Sequence, residues 1–380
     1  NTHSCKIIVT THFGKFNSPL LIFQMLSNCC LSNLYRLLLN LSKKIASRND
    51  VDIVSENPPI SPPFLLSSLP LQSDPLYTWN IKRIKAPEVW DRGYDGSGVV
   101  VGIFDTGVDY THPDLVEKYR GGTNSWFDPF GEHDQPYDSN GHGTHITGII
   151  LGGNAIGKHI GVAPGAKWIA ARDQNDAGEG AESDAHKVFQ WFMDPDGDPE
   201  TDDAPDVVNN SWGNTLFHIF VWCMPDYYDD IRAWRMAGII PVFAAGNLGM
   251  FPFFSGSSPA TYPETISVGA TNFLDVVWPG SSRGPSNCDL SIFPDLTAPG
   301  LSILSSYRDG IYAYSAGTSM ACPHVVGTIA LMLDANPNLT IEQIETILKE
   351  TAKPLGLFHP NNTYGWGLVD AFEAVSVAIP

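Results

Sequence analysis

Downstream of residue 75 the apolar positions fall into short unbroken runs separated by longer amphipathic stretches. The first run, Val99-Val100-Val101-Gly102-Ile103-Phe104, predicts a strand buried on both faces. Residues 143–151 predict a helix, 168–171 a strand and 181–193 a second helix. Two more strands are predicted at 207–211 and 239–244, with an amphipathic stretch at 227–237 between them. A helix-like apolar run opens beside Ser319 and reaches Leu333; residues 341–348 and those near the C-terminus predict further helices. Near-continuous apolar strands that alternate with helices predict an α/β protein whose parallel sheet is covered on both faces.

Residues 1–75 carry a different pattern. Helical apolar spacing runs from Leu31 to Ile45, Val51-Asp52-Ile53-Val54 alternates like a short strand, and 57–75 is a Pro/Ser-rich connector. This predicts a boundary near 75/76, with a large domain at 76–380. The chain begins at Asn1 rather than Met, which reads as a fragment or a processed product and leaves room for a removed signal peptide.

Composition narrows the class. The 380 residues are 43% apolar with 35 glycines and 29 prolines, which suits a loop-rich globular enzyme. The longest apolar run in the N-terminal segment, 19–26, is too short to cross a bilayer and contains Gln24. The formal charge is −19, and the acidity lies downstream of residue 75. Such a body repels phosphate backbones, so nucleic acid is an unsuitable partner. Six cysteines show no C-x-x-C metal spacing; three lie before residue 75, so the body has enough for one bridge.

Three chemistry-bearing groups punctuate the body. Asp105 ends the first predicted strand, where a parallel sheet keeps its crevice. As a lone residue it also reads as a loop-capping acid. His142 lies between glycines in Asn140-Gly141-His142-Gly143-Thr144-His145. His142 and His145 are three apart, but a zinc helix of the H-E-x-x-H kind needs a spacing of four and a glutamate between. Ser319 stands at the start of the long apolar helix, where unpaired N–H groups favour an oxyanion, although a serine there also serves as a simple cap. Asn247, in Ala244-Ala245-Gly246-Asn247, reads alone as a turn asparagine and, beside the other three, as an amide donor. An acid, an imidazole and a hydroxyl are the groups a nucleophilic serine requires.

Their chain order, Asp then His then Ser, is that of subtilisin, and four motifs (DTGVD, HGTH, AAGN and GTSMACPH) carry a wider likeness. From about Trp79 to Ala378 the chain resembles the subtilisin-like serine proteases, the subtilases. The stretches IGVAPGAKWIAARD, APDVVNNSWG, PATYPETISVGA and YGWGLVDAFEAV resemble the bacillopeptidase F branch. The resemblance implies a three-layer α/β/α fold and a secreted serine endopeptidase acting on proteins and peptides. It assigns Ser319 as nucleophile, His142 as general base, Asp105 as its orienting acid and Asn247 as oxyanion donor. It implies that Ser211, Trp212 and Gly213 pair with an extended substrate, and that Ala244, Ala245, Gly246 and Thr261 wall a pocket for a large apolar or aromatic side chain. Trp212 replaces a smaller aliphatic residue and implies a reshaped subsite, or else a core tryptophan. Asp114 matches a calcium ligand, although Ala155 stands where a liganding asparagine is usual. A second acidic cluster, Asp194 to Asp203, lacks the glycine and terminal glutamate of an EF-hand. The N-terminal segment resembles the tail of a propeptide, an inhibitor and chaperone of its own enzyme, with autoprocessing expected between Glu56 and Tyr77. Cys322, three residues past Ser319, reads as a small buried hydrophobe.

Two rival classes are weighed. A peptide-binding scaffold without activity is disfavoured by the intact set Asp105, His142, Asn247 and Ser319. A lipase-like α/β-hydrolase needs a G-x-S-x-G elbow and the reverse chain order.

Overall fold

Seven parallel strands form the main sheet, in the order β2-β3-β1-β4-β5-β6-β7. In this computed structural model residues 74–213 and 223–380 are described, all within one compact unit, Ile53–Pro380. The propeptide-like segment predicted at 1–75 therefore lies almost wholly outside the described residues. Two short helices, α1 (Trp79–Arg83) and α2 (Ala86–Trp90), precede the sheet.

The strands are β1 (Val100–Asp105), β2 (Trp126–Phe127), β3 (Lys167–Arg172), β4 (Val207–Asn210), β5 (Ile240–Ala244), β6 (Ile266–Thr271) and β7 (Leu296–Pro299). Their Val, Ile and Ala runs are buried throughout β4 to β7 and nearly so in β1 and β3, as expected for a sheet covered on both faces. Alternation sorts the side chains between two cores. Val101 and Ile103 pack on one face with α3 (His142–Leu151) and α6 (Thr318–Ala335). Phe104 packs on the other with Phe189 and Phe192 of α4 (Glu182–Met193) and Trp234 of α5 (Tyr228–Met236). The expected three-layer α/β/α arrangement is observed.

Helix α6 is apolar on nearly every face and buried from Met320 to Leu333, so it runs through the first core instead of lying on its surface. Helix α7 (Ile341–Thr351) starts in a reciprocal capping box: Thr340 Oγ1 accepts from Gln343 N, and Gln343 Oε1 accepts from Thr340 N at 2.9 Å. Helix α8 (Ala371–Ala378) is capped by Asp370, whose carboxylate accepts from Glu373 N at 3.1 Å. An antiparallel pair, β8 (Ile303–Tyr307) and β9 (Ile311–Ser315), leads into α6.

Sequence periodicity places β1, β3, β4, β5 and helices α3 to α5 within one or two residues of their observed bounds, but not the two-residue β2. It misses β6 to β9, which are rich in Ser, Thr, Ala and Gly and lack a long apolar run. Of the three cysteines downstream of residue 75, Cys223 and Cys288 form a disulfide and Cys322 is a buried free thiol. No helix among the described residues is long and apolar enough to cross a membrane.

Candidate active site

Strand β1 is flanked by β3 on one side and β4 on the other, so chain connections leave it in opposite directions. Crevices in such sheets open beyond the carboxyl ends of strands at this reversal. Asp105 is the last residue of β1 and only 1% exposed. Its Oδ1 accepts from Thr106 N at 2.8 Å and from His142 Nδ1 at 2.6 Å. His142 is the first residue of α3, and Gly143 lets that helix come close: a Cβ there would lie 2.1 Å from the Gly107 carbonyl oxygen. Thr106 Oγ1 accepts from Gly143 N and donates to Asp138.

Asp138 was not singled out from the sequence, yet it gathers this corner. Its carboxylate accepts five hydrogen bonds, from Thr106 Oγ1, Asn140 N, Gly141 N, Thr144 N and Thr144 Oγ1. Burial opposes a charged His142, but the charge and hydrogen bond of Asp105, with Asp173 and Asp138 further off, prevail and raise its pKa. His145 has a separate task. Its Nε2 donates to the Ala313 carbonyl at 3.1 Å, and burial depresses its pKa to about 4. The two histidines therefore do not converge on a common ligand, which agrees with setting zinc aside.

Ser319 stands one residue inside the N-terminus of α6. Pro323 lies four residues on and has no N–H to give, so the Ser319 carbonyl loses its helical partner. The Ser211 hydroxyl fills that role at 3.0 Å, and the Ser319 hydroxyl donates back to the Ser211 carbonyl at 3.1 Å. Among the described residues no hydrogen bond joins Ser319 Oγ to His142, and His142 Nε2 has no partner. The Ser319 N–H likewise has no acceptor among them. Asn247 Oδ1 accepts from Thr318 N at 3.0 Å and Thr318 Oγ1 at 2.9 Å, which leaves the Nδ2 end of the carboxamide free. A Cβ built on Gly317 would sit 3.7 Å from both Asn247 Nδ2 and Ser319 N, so the two donors border one small volume.

The predicted substrate walls also meet. A Cβ on Gly246 would lie 2.4 Å from Ser257 Oγ, and one on Gly213 would lie 3.0 Å from Ser257 Cβ. Both glycines thus close on Ser257, a buried residue that sequence reasoning missed although the Ser-rich run before Pro259 offered a signal. Ala244 and Ala245 are buried, and Ala245 N donates to Val268 O. Thr261, 2% exposed, is hydrogen-bonded to Ser258 Oγ at 3.0 Å and touches the Cys288 sulfur. The Trp212 ring makes edge-on contacts with Phe104, Phe189, Tyr227 and Phe243. These are core contacts, but Trp212 Nε1 is buried with no hydrogen-bond partner among the described residues, so the satisfied N–H expected of a core tryptophan is not met there. Cys322 is fully buried, which raises its pKa and makes it a poor nucleophile.

Cation sites fare less evenly. Asp114 Oδ1 accepts from Ala155 N at 2.8 Å, and Oδ2 accepts from Tyr312 Oη at 2.5 Å. Each carboxylate oxygen keeps a second lone pair beside these bonds, so they leave the ligand role that the resemblance implies open. Two other groups could hold a divalent ion: Glu132, His133 and Asp176, and Asp194, Asp196 and Asp203. In the first, the buried Arg172 guanidinium already pairs with Asp176 at 2.7 Å and with Glu132 and Asp128 at 3.2 Å. In the second, no ion pair engages the three carboxylates among the described residues.

Comparison with known proteins follows the same outline. The family model described as "Subtilase family" matches residues 96–367. Bacillopeptidase F of Bacillus subtilis (strain 168) is 44% identical over 324 residues, which takes in 78% of this chain and 22% of that protein. Subtilisin BL of Lederbergia lenta is 36% identical over 297 residues, covering 78% of this chain and 97% of the relative. Subtilisin E of Bacillus subtilis (strain 168) is 36% identical over 303 residues, covering 78% and 70%. The chain thus spans under a quarter of bacillopeptidase F but nearly the whole of Subtilisin BL. With the matched region running from just before β1 to just before α8, the chain belongs to the subtilase family of serine-type endopeptidases.

Proposed function

We propose that this chain is a secreted endopeptidase in which Ser319 is the nucleophile, His142 the general acid and base, and Asp105 the acid that orients the ring. The observation that carries the reading is the 2.6 Å bond from His142 Nδ1 to Asp105, made between the end of β1 and the start of α3. With Nδ1–H committed to Asp105, the neutral ring has its lone pair on Nε2, where a proton can be received. The Ser319 hydroxyl turns from the Ser211 carbonyl to Nε2 and attacks the peptide carbonyl as its proton passes to His142. Such bonds are often loose before substrate binds. Ser319 N–H and Asn247 Nδ2 receive the developing oxyanion. His142 then protonates the leaving amine, and water, activated by the same ring, releases the acyl group.

The substrate backbone lies along Ser211-Trp212-Gly213 as an added strand. Gly213, Ala244 to Gly246, Ser257 and Thr261 leave room for a large apolar or aromatic side chain on the acyl side of the cut bond. The disulfide between Cys223 and Cys288 supports an oxidising, extracellular setting. Residues 1–75 act as a propeptide, with autoprocessing between Glu56 and Tyr77. N-terminal sequencing of active enzyme checks this, and a start before Val51 would defeat it. Every chemical step uses groups of the chain, and calcium at Asp194, Asp196 and Asp203 has a structural role only.

A peptide-library digest by wild type and Ser319→Ala tests the whole reading. Cleavage after large apolar residues by wild type, absent from the variant, is expected. Equal digestion by both would defeat it.

A further inference from the structure

The disulfide between Cys223 and Cys288 joins positions 65 residues apart, and it does so against a wall of the proposed substrate pocket. Two chain segments meet there. From one, Met224 N donates to Ser258 Oγ at 3.4 Å, Tyr262 Oη donates to Met224 O, and the Tyr228 ring stacks on Tyr262 with centroids 4.0 Å apart. From the other, Ser286 Oγ donates to the Thr261 carbonyl at 2.8 Å and accepts from Cys288 N at 3.1 Å. Asn287 Nδ2 donates to the Gly256 carbonyl at 3.4 Å. Both segments therefore grip residues 256–262, the stretch that carries Ser257 and Thr261, and the two sulfurs tie them to each other.

A ring of contacts closes through this bond. Ser258 Oγ lies 3.0 Å from Thr261 Oγ1, Thr261 Oγ1 lies 3.3 Å from Cys288 Sγ, and Cys223 returns the path to Met224. A disulfide sulfur carries no hydrogen, so across that contact Thr261 must donate. Ser258 then donates to Thr261 while accepting from Met224 N. The donors run one way, from amide to hydroxyl to hydroxyl to sulfur. Ser258 and Thr261 are both buried, so the chain itself supplies these partners. A Cβ on Gly256 would lie 2.5 Å from Thr261 Cγ2, which holds the methyl side of Thr261 against the backbone. Ser257, beside Ser258 in the chain, is the residue on which Gly213 and Gly246 close.

We infer that Cys223 and Cys288 are a positioning pair for substrate selection: their disulfide fixes Ser257 and Thr261, and with them the pocket that takes the large side chain. This rests on the pocket reading given under the proposed function. Neither cysteine bonds to Asp105, His142 or Ser319 among the described residues. Opening the disulfide thus acts on which side chain is accepted and leaves the proton transfers alone. It frees Met224 from Ser258 and deprives Thr261 of an acceptor held in place, so the wall loosens where a bulky side chain would press on it.

The test compares wild type with the double variant Cys223→Ala, Cys288→Ala on two peptides that differ only in the acyl-side residue, Phe or Ala. Active sites are counted by fluorophosphonate titration, so each kcat/KM refers to competent enzyme. The Phe-over-Ala ratio of kcat/KM should fall by about tenfold in the variant, through a raised KM for the Phe peptide. A disulfide that only holds the fold together would lower Tm and the active fraction and leave that ratio unchanged, which overturns the inference alone. A wild type with no preference for Phe would overturn the pocket reading and the inference with it. Where the double variant does not fold, folded wild type reduced by a dithiol decides. The dithiol gives two electrons and two protons as it closes to its own disulfide, and Cys223 and Cys288 are released as thiols. The same fall in the ratio supports the inference, and an unchanged ratio with both thiols verified by mass spectrometry overturns it.

Discussion

On one side of the cleft, Asp138 accepts five hydrogen bonds and Asp105 holds His142 at 2.6 Å before any substrate arrives. On the other, the Ser319 N–H and the Asn247 carboxamide Nδ2 have no acceptor among the described residues. In the proposed mechanism the first side manages a charge that comes and goes on the imidazole, so its dipoles are fixed in advance, and the second awaits an oxygen that belongs to the substrate, so its donors stay open. Preorganised donors of that kind act at no reorganisation cost when the charge develops.

Breaking the comparison at the chemistry itself has the largest effect. Ser319→Ala should lower kcat by roughly a million-fold, with unchanged circular dichroism. Asp105→Asn should lower it by about 10⁴-fold, because the ring is then free to take the wrong tautomer. On the open side, Asn247→Ala should lower kcat by about 10²–10³-fold with KM little altered, since its amide contributes mainly once the oxyanion forms. Parallel losses in kcat and substrate affinity would mean that Asn247 binds the ground state.

A subtler variant sharpens the contrast. Thr318→Val keeps the backbone bond to Asn247 Oδ1 but deletes the hydroxyl one, and kcat should fall by about tenfold. The pH profile reads the closed side. His142 must be neutral to act as base and its pKa is raised, so activity should fall, as pH drops, through a value above the ordinary imidazole pKa of about 6.5. A limb well below that value would mean that burial outweighs Asp105. The smallest effect expected is on stability. Chelation should lower Tm by about 2–4 °C without changing kcat, and Asp196→Ala should abolish the difference. An unchanged Tm would remove calcium from the account.

The two sides were unequally legible in the sequence. Asp105, His142 and Ser319 each stand at the end of a strand or the start of a helix that periodicity predicts, and Asn247 follows β5 by three residues, so their places in the fold were legible. Asp138 and Ser257 were not found, because each makes contacts that only the fold creates. Asp138 resembles any loop acid until its five donors are in place. Ser257 becomes a wall only where Gly213 and Gly246 face it. For Asp114 the motif suggested a calcium ligand but gave no sign of the donors Ala155 N and Tyr312 Oη, which come from other elements.

Strands β6 and β7 were missed for a related reason. Their small residues are buried by the neighbours on either side, and short runs of Ser, Gly and Ala carry no period that a reader could recognise. Position within the sheet supplied what hydropathy did not.

The most direct measurement is covalent labelling of the purified protein by a fluorophosphonate, with the adduct mapped by mass spectrometry in wild type and His142→Ala. The account predicts a single adduct on Ser319 in wild type, with labelling slowed at least a thousand-fold in the variant. Labelling of another residue, or of Ser319 at the same rate without the imidazole, would contradict it.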